Sequence, residues 1–242
     1  MRKTIMLLAV VLCSMSTIAF GASSTVVGFD GGSDGGFTGN AYFEESGGNP
    51  GGVANHLNDS YFNDLRTGAP GEPANTDFLG DYSSYESVTF SFDIKTNYLN
   101  DFIGNPIARS IGIALKDRDI EGPSGASGVF IEMGIVGVNF TGEWTTLSVT
   151  IDDPASVTLP DGWIGFGDED PDNYYAPILP EGATFATVLA SVDEFDVTGA
   201  VPGYFFTSAN WDVLIDNITV EVEGTVSVDD QRSMSSVKAL YR

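Results

Sequence analysis

The sequence predicts an all-β protein, an antiparallel β-sandwich of jelly-roll type with one short helix. Three observations support this fold class. Short segments alternate apolar and polar residues, glycine and proline turn signals separate them at close intervals, and only one segment has a helical pattern. The long connections between segments favour a jelly roll over an up-and-down barrel. The chain is 42% hydrophobic, which is enough apolar surface for a core and argues against disorder.

The clearest strand signal lies in Val88–Lys95, where Val88, Phe90, Phe92 and Ile94 fall on one face. The one predicted helix is Thr184–Ala190, which follows a long polar connection at Asp152–Gly182. The other predicted strands are Thr25–Phe29, Ala41–Glu45, Val53–Leu57, Ser110–Lys116, Val129–Val136, Trp144–Ile151, Val192–Val197, Tyr204–Thr207 and Val213–Val222.

The N-terminal segment has the three parts of a secretory signal peptide, predicted over residues 1–22. Arg2 and Lys3 precede the apolar run Ile5–Leu12, and small residues at Ala19 and Gly21 follow. The protein is therefore expected to be secreted, extracellular or at the cell surface, with the periplasm as a further possibility. A lipidated Cys13 is the alternative, disfavoured because Leu12 occupies a position where a small residue is expected.

Residues 23–224 are predicted to form a single sandwich domain, and residues 225–242 a polar C-terminal tail. The chain after the signal peptide has no apolar stretch long enough for a membrane span. Cys13 is the sole cysteine, so a chain cleaved after the signal peptide contains no disulfide. A domain of this length buries enough surface to fold without one.

The charge balance is strongly acidic, with 34 Asp and Glu residues against 10 Lys and Arg residues. Such a surface repels nucleic acid, which we exclude as a partner, and it disfavours anionic membranes. Two interpretations remain, solubility in an extracellular medium and binding of divalent cations. The charge alone does not choose between them.

The sequence predicts no catalytic residue. Glu194-Phe195-Asp196 is similar to the E-x-D core of jelly-roll glycosidases, but the third carboxylate that such enzymes need does not follow it. His56 is the only histidine and is expected at the surface or in a turn of a Gly/Asn-rich segment. No G-x-S-x-G motif supports a Ser–His–Asp triad.

Four ordered stretches resemble the laminin B domain (domain IV), a β-sandwich related to galactose-binding-like jelly rolls. They are Gly48–His56, Asp77–Lys95, Gly142–Ile151, and Phe185–Val197 followed by Leu214–Val220. The chain lacks the cysteine-rich repeats that flank laminin domains, and Val201–Asn217 is more similar to stand-alone secreted bacterial proteins. The resemblance implies a non-enzymatic extracellular module and names no ligand.

A structural calcium ion is predicted at Asp216, with Asp30 and Asp34 as candidate partners. Asp216 interrupts an apolar strand, and a half-buried carboxylate needs pairing or a metal. The resemblance implies an ion at this place, between the last strand and the first. The alternative is that Asp216 faces solvent or accepts turn amide hydrogens.

A second candidate for a metal is the loop containing Asp168, Asp170 and Asp172, whose alternate carboxylates are typical of calcium loops. It is not an EF-hand, because Asn173 and Leu179 stand where that motif has glycine and glutamate. A solvated acidic loop is the alternative.

A sugar-binding site is predicted in the same long connection, from Trp163, Tyr174, Tyr175 and Asn173. Exposed aromatic rings beside polar groups are what a carbohydrate site requires. The alternative is that these aromatic residues cover the edge of the sandwich.

The sequence therefore favours a secreted, non-enzymatic module that binds a carbohydrate and holds a structural calcium ion. A glycan or another extracellular protein is the expected partner. A cell-surface or matrix structural or adhesion protein without glycan binding is the first alternative, and a carbohydrate-active hydrolase or lyase is the second.

Overall fold

The computed structural model describes residues 22–61, 63–123, 125–138, 142–205 and 207–224. The predicted signal peptide, apart from Ala22, and the predicted tail 225–242 lie outside these residues. Within the described ranges, no helix has the length and apolar character needed to cross a membrane.

The chain forms short strands joined by turns. In chain order they are β1 Ser23–Val27, β2 Thr38–Gly39, β3 Tyr42–Glu44, β4 Val53–Ser60, β5 Asp64–Thr67, β6 Ser87–Asp101, β7 Ala108–Gly122, β8 Gly125–Gly137, β9 Thr145–Ile151, β10 Trp163–Phe166, β11 Asp168–Asp170, β12 Ala176–Ile178, β13 Glu194–Thr198 and β14 Ala209–Glu223. The helix α1 spans Phe185–Leu189, and single 3-10 turns occur at Asp30–Gly32 and Thr76–Phe78.

The strands form two six-stranded antiparallel sheets. The first sheet has the order β3-β4-β14-β6-β9, with β1 also paired to β14. The second sheet has the order β10-β8-β7-β13-β5-β2, and β11 pairs with β12 in a separate hairpin. These sheets confirm the predicted fold class, an antiparallel sandwich of jelly-roll type with one short helix.

The core lies between the two sheets, where the period-two alternation places the apolar side chains. Val88, Phe90, Phe92 and Ile94 of β6 are each no more than 1% exposed, as their alternation predicts. The ring of Phe90 in the first sheet stacks on Phe195 in the second, with centroids 5.4 Å apart. Burial of each such ring stabilises the fold by about 2 kcal/mol.

The helix α1 matches its predicted position. The Thr184 hydroxyl accepts a hydrogen bond from the Thr187 backbone N–H, and Thr187 Oγ1 accepts one from the Thr184 backbone N–H, which closes a capping box. The helix buries Phe185, Val188 and Leu189 in the core.

The segment Tyr204–Thr207 does not form the predicted strand in its described part. The backbone N–H of Tyr204 instead donates to the Val201 carbonyl in a turn that contains Gly203. Tyr204 and Phe205 are 71% and 93% exposed. Their aromatic character suits a strand, but a turn precedes them and neither residue joins a sheet.

Strand β13 determines which residues reach the outer face of the second sheet, the face turned away from the core. Phe195 and Val197 point into the core, so Glu194, Asp196 and Thr198 point outward. The segment that follows β13 folds back over this face, where Val201 packs on Ala114 and Phe130.

Candidate functional site

A cavity of about 540 Å³ lies on the outer face of the second sheet. Its floor comes from the sheet and consists of Asp64 and Arg66 of β5, Ala114 and Lys116 of β7, Ala126 of β8, and Asp196 and Thr198 of β13. Its rim consists of Phe166, Gly167, Asp168 and Glu169, then Tyr175 and Pro177 of the β11–β12 hairpin, and Ala200, Pro202 and Gly203. The volume is within the range of small-molecule sites.

The strand register brings the polar floor residues together. Asp196 is directly opposite Arg66 on β5 and Ala114 on β7, and Thr198 is opposite Asp64. Directly opposite side chains on one face of an antiparallel pair are in contact range. The register therefore places an acid, a base and a hydroxyl in one small area.

Lys116 connects the two outward carboxylates of β13. Its Nζ atom lies 2.5 Å from Asp196 Oδ2 and 2.6 Å from Glu194 Oε1. Arg118 forms an ion pair with the other oxygen of Glu194 and donates from Nη1 to the Gly68 carbonyl at 2.9 Å. The Asp196 carboxylate is thus held in one orientation from its Oδ2 side.

The other carboxylate oxygen of Asp196, Oδ1, makes no such contact. Asp196 is only 2% exposed, and its buried Oδ1 has no hydrogen-bond partner among the described residues. Burial raises the pKa of Asp196 to about 6, an effect that the neighbouring Lys116 partly offsets. A buried acceptor without a donor is costly, so a hydrogen-bond donor to Oδ1 would stabilise this arrangement.

A second ion pair forms the β5 side of the floor. Arg66 Nη2 lies 2.7 Å from Glu72 Oε1, and Arg66 Nη1 pairs with Asp64. Burial raises the pKa of Asp64, and Arg66 opposes that shift. Both basic residues that line the cavity, Arg66 and Lys116, are therefore neutralised by carboxylates.

Trp163 is not the exposed sugar contact that the sequence predicts. It is 8% exposed, and its ring packs edge-to-face on Phe185 of α1 with centroids 5.2 Å apart. Strand β10 pairs with β8, which places Trp163 opposite Ile131 and turns its ring into the core. Trp163 is a core residue.

The predicted tyrosines lie in the turn of the β11–β12 hairpin, and both are exposed. Tyr175 lines the cavity and is 66% exposed, whereas Tyr174 is 97% exposed. Asn173 is exposed in the same turn, where its N–H donates to the Asp170 carbonyl at 3.1 Å, and it does not line the cavity. Of the four predicted ligand residues, the structure therefore brings only Tyr175 to the cavity.

Asp216 is fully buried in β14, at a bulge where Asn217 has a positive φ of 49°. Its Oδ2 accepts from the Asn49 N–H at 2.5 Å, and its Oδ1 accepts from the Asn217 N–H at 2.7 Å. Burial raises its pKa, and the nearby Asp93 and Asp30 raise it further. Asp93 and the exposed Asp30 are thus close enough to Asp216 to act on its charge.

The other predicted metal ligands are arranged differently. Asp34 is exposed and its Oδ1 accepts from the Gly36 N–H at 2.9 Å, within its own turn. In the alternative loop, Asp168 lines the cavity, and Asp170 Oδ1 accepts from the Asp172 N–H at 3.0 Å. The described part of the chain contains no group of three or more His, Cys, Asp or Glu side chains that could hold a metal ion.

These observations limit how calcium fits at Asp216. Both of its oxygens already accept backbone hydrogens, so an ion there has to displace one of these donors or bind beside them. Against this, buried carboxylates that repel one another gain from a cation. Calcium at Asp216 stays a prediction.

His56 is not in a turn. It lies in β4 and is 0% exposed, with Nδ1 2.9 Å from Asn40 Oδ1. Burial lowers its pKa to about 4. His56 is therefore a neutral core residue and has no place in the cavity.

Sequence reasoning missed most of the cavity floor. It singled out Glu194 and Asp196 only as an incomplete glycosidase motif, and it did not select Asp64, Arg66 or Lys116. The available signal was the alternation within Glu194–Thr198, which places three polar side chains on one face of a strand.

No protein-family model and no curated protein matches this chain. Solved structures are similar to it over most of its length. The CBM22-1 and GH10 modules of Clostridium thermocellum endo-1,4-beta-D-xylanase 10B, complexed with xylohexaose, share 14% identity over 84% of this chain and 28% of theirs, with a TM-score of 0.44. The CBM22-1 xylan-binding domain from Paenibacillus barcinonensis shares 11% identity over 84% of this chain and 95% of its own, also with a TM-score of 0.44.

An exo-beta-agarase shares 13% identity over 84% of this chain and 26% of its own, again with a TM-score of 0.44. The likeness is one of fold. This chain spans less than a third of the xylanase and agarase chains, and such identities and TM-scores assign neither a ligand nor a residue role. The resemblance to laminin B domains stays a prediction.

Proposed function

We propose that this protein is a secreted, non-catalytic module that binds a neutral carbohydrate in the cavity on the outer face of the second sheet. The observation that carries the proposal is the buried Asp196 Oδ1, an acceptor without a donor in a cavity that Tyr175 lines. A sugar offers hydroxyl donors for Oδ1 and an apolar ring face for Tyr175.

The charge of the cavity supports a neutral ligand. Its acidic lining residues are Asp64, Asp168, Glu169 and Asp196, whereas its basic ones are Arg66 and Lys116. Both basic residues are occupied by carboxylates, so an anionic sugar gains no free cation there and is repelled by the excess acid.

The pairing of Glu194 and Asp196 supports binding rather than hydrolysis by these two carboxylates. Glycoside hydrolysis needs one carboxyl group that donates a proton and a second, free carboxylate across the scissile bond. Glu194 is paired with Lys116 and Arg118 and does not line the cavity, and Asp196 shares Lys116 with it. Secretion rests on the signal-peptide pattern of residues 1–22.

The test is a glycan array followed by calorimetry, with neutral and anionic oligosaccharides. Three proteins are compared with wild type: Asp196→Asn, which keeps the shape of the side chain, Tyr175→Ala, and Tyr42→Ala as a matched control. Tyr42 is 63% exposed on β3 of the first sheet, away from the cavity.

We expect wild type and Tyr42→Ala to bind the same neutral glycans. We expect Asp196→Asn and Tyr175→Ala to bind them about tenfold more weakly or worse, while keeping the circular-dichroism spectrum of wild type. A wild-type array without any neutral glycan overturns the proposal. Equal binding by both cavity variants overturns the placement of the site.

A further inference from the structure

The cavity crosses five neighbouring strands. Its lining includes Arg66 of β5, Asp196 of β13, Lys116 of β7, Ala126 of β8 and Phe166 of β10, and these strands are consecutive in the second sheet. Adjacent strands lie about 4.8 Å apart, so four intervals extend over about 19 Å. This distance is several times the length of one pyranose ring.

Two loops meet at the rim of the cavity. A Cβ atom on Gly203 would lie 2.8 Å from Pro177 Cδ, so the turn after β13 touches the β11–β12 hairpin. Both Pro177 and Gly203 line the cavity. The two loops therefore form one continuous border.

Each of these loops carries two adjacent exposed aromatic residues. Tyr174 and Tyr175 of the hairpin are 97% and 66% exposed, and Tyr204 and Phe205, directly after Gly203, are 71% and 93% exposed. Exposed apolar rings grouped beside a cavity are typical of a binding surface. We name this group of four residues the aromatic rim.

The hairpin holds its tyrosines in an unfavourable backbone conformation. Tyr174 and Tyr175 have φ angles of 54° and 58°, which are uncommon for bulky side chains. The N–H of Tyr175 donates to the Asp170 carbonyl at 2.9 Å, and the N–H of Ala176 donates to the Asn173 carbonyl at 3.0 Å. The backbone that carries these rings is held by its own hydrogen bonds, so it loses little conformational entropy when a ligand stacks on the rings.

Resting on the proposed function, we propose that the ligand is a neutral oligosaccharide chain of roughly three or more sugar rings that lies across the strands of the second sheet. One part of the chain bonds to Asp196 and its neighbours on the floor. Another part leaves the cavity over the aromatic rim and stacks on Tyr174 and Tyr204. A single terminal sugar fills only a fraction of this surface.

The test is the dependence of affinity on chain length. Xylo-, cello-, manno- and galacto-oligosaccharides of one to six rings are titrated calorimetrically into four proteins. These are wild type, the double variant Tyr174→Ala/Tyr204→Ala, the floor variant Asp196→Asn and the control Tyr42→Ala. Because Tyr174 and Tyr204 are exposed, their replacement leaves the core intact.

For the series that binds, we expect a hexasaccharide to bind at least about tenfold more tightly than the monosaccharide. The double variant is expected to lose about five- to tenfold in affinity for the hexasaccharide and none for the mono- or disaccharide. Asp196→Asn is expected to lose affinity for every length, and Tyr42→Ala for none.

Two results overturn the extended-chain inference and leave the proposed function intact. In one, the monosaccharide binds as tightly as the hexasaccharide. In the other, affinity rises with length but the double variant matches wild type at every length. If none of the four series binds, and the array is also empty, the proposed function falls and this inference with it.

Discussion

The Nζ atom of Lys116 lies 2.5 Å from Oδ2 of Asp196, a carboxylate that is 2% exposed at the floor of the cavity. Lys116 reaches it from the neighbouring strand β7, with part of its side chain still in water. This contact orients the carboxylate through Oδ2, whereas Oδ1 has no hydrogen-bond partner among the described residues. It also supplies the positive charge nearest to a buried negative charge.

Replacement of Lys116 by methionine is expected to destabilise the protein. The variant keeps most of the apolar stem but leaves Asp196 buried without its cation, and removing one partner of a buried pair is strongly destabilising. Because the lysine is partly exposed, we expect the free energy of unfolding to fall by about 2 kcal/mol, measured by urea denaturation. Lys95→Met on β6 of the first sheet is the control, and an equal loss there contradicts this role.

The affinity for a neutral oligosaccharide is expected to fall as the pH is lowered, because Asp196 becomes protonated. Burial raises its pKa to about 6, so Oδ1 belongs to a carboxylate acceptor above that pH and to a carboxylic acid below it. Lys116, Arg66 and Asp64 face the same group and set where the change occurs. Calorimetry between pH 8 and pH 5 measures it.

The matched variant for this pH profile is Asp196→Asn, which cannot ionise at that position. Its weaker affinity is expected to stay constant over the same range. If its affinity falls with the same midpoint as that of wild type, another group is responsible for the pH dependence.

Variants of Trp163 test whether this residue packs in the core or contacts a ligand. Its ring is buried against Phe185, so Trp163→Ala is expected to cost about 3–5 kcal/mol of stability, whereas Trp163→Phe costs less and keeps sugar binding. Thermal melts and calorimetry on both variants check this. A Trp163→Phe protein with the wild-type melting temperature but no sugar binding contradicts the core assignment.

The sequence predicted the strands and the helix better than it predicted the cavity on the outer face of the second sheet. Alternation in Val88–Lys95 and the helix at Thr184–Ala190 depend on local periodicity, which survives in the structure. The cavity floor depends on register instead, because Lys116 meets Glu194 across 78 residues of chain. Nothing local in either segment indicates that pairing.

For Trp163 the local sequence pattern predicts the wrong degree of burial. It lies in a four-residue strand within a polar, proline-containing segment, and such a context predicts an exposed loop. Pairing of β10 with β8 overrides that local character. Tyr175 lies in the turn of the β11–β12 hairpin, where it stays exposed as its polar sequence context predicts.

Calcium at Asp216 predicts a dependence of stability on chelation. An ion that binds only the native state stabilises it, so removal of calcium with EDTA is expected to lower the melting temperature by about 5 °C. The expected variant effect is specific: Asp216→Asn abolishes the response to calcium, while Asp34→Asn retains it because Asp34 accepts hydrogen bonds within its own turn. Identical melts of wild type in EDTA and in calcium remove the ion from this site.

His56 and Asp196 are expected to have opposite effects on stability in mild acid. Burial lowers the pKa of His56 to about 4, so the stability gained from its neutral form is complete above about pH 6.5 and is lost as the pH falls towards 4, by about 3 kcal/mol. The pKa of Asp196 is raised, so its burial as a carboxylate destabilises the fold above pH 6, and stability returns as the pH falls below 6. In wild type the two changes partly cancel.

The Asp196→Asn variant removes the contribution of Asp196 to this pH dependence of stability and keeps that of His56. Urea denaturation at pH 7, 5 and 4 is therefore expected to show a steeper loss of stability in Asp196→Asn than in wild type. Because His56 is the only histidine, the NMR signal of its ring reports the same event directly and is expected not to titrate between pH 8 and pH 5. A ring that titrates with a midpoint near pH 6.5 contradicts the buried neutral histidine. Parallel stability curves for the two proteins contradict the raised pKa of Asp196.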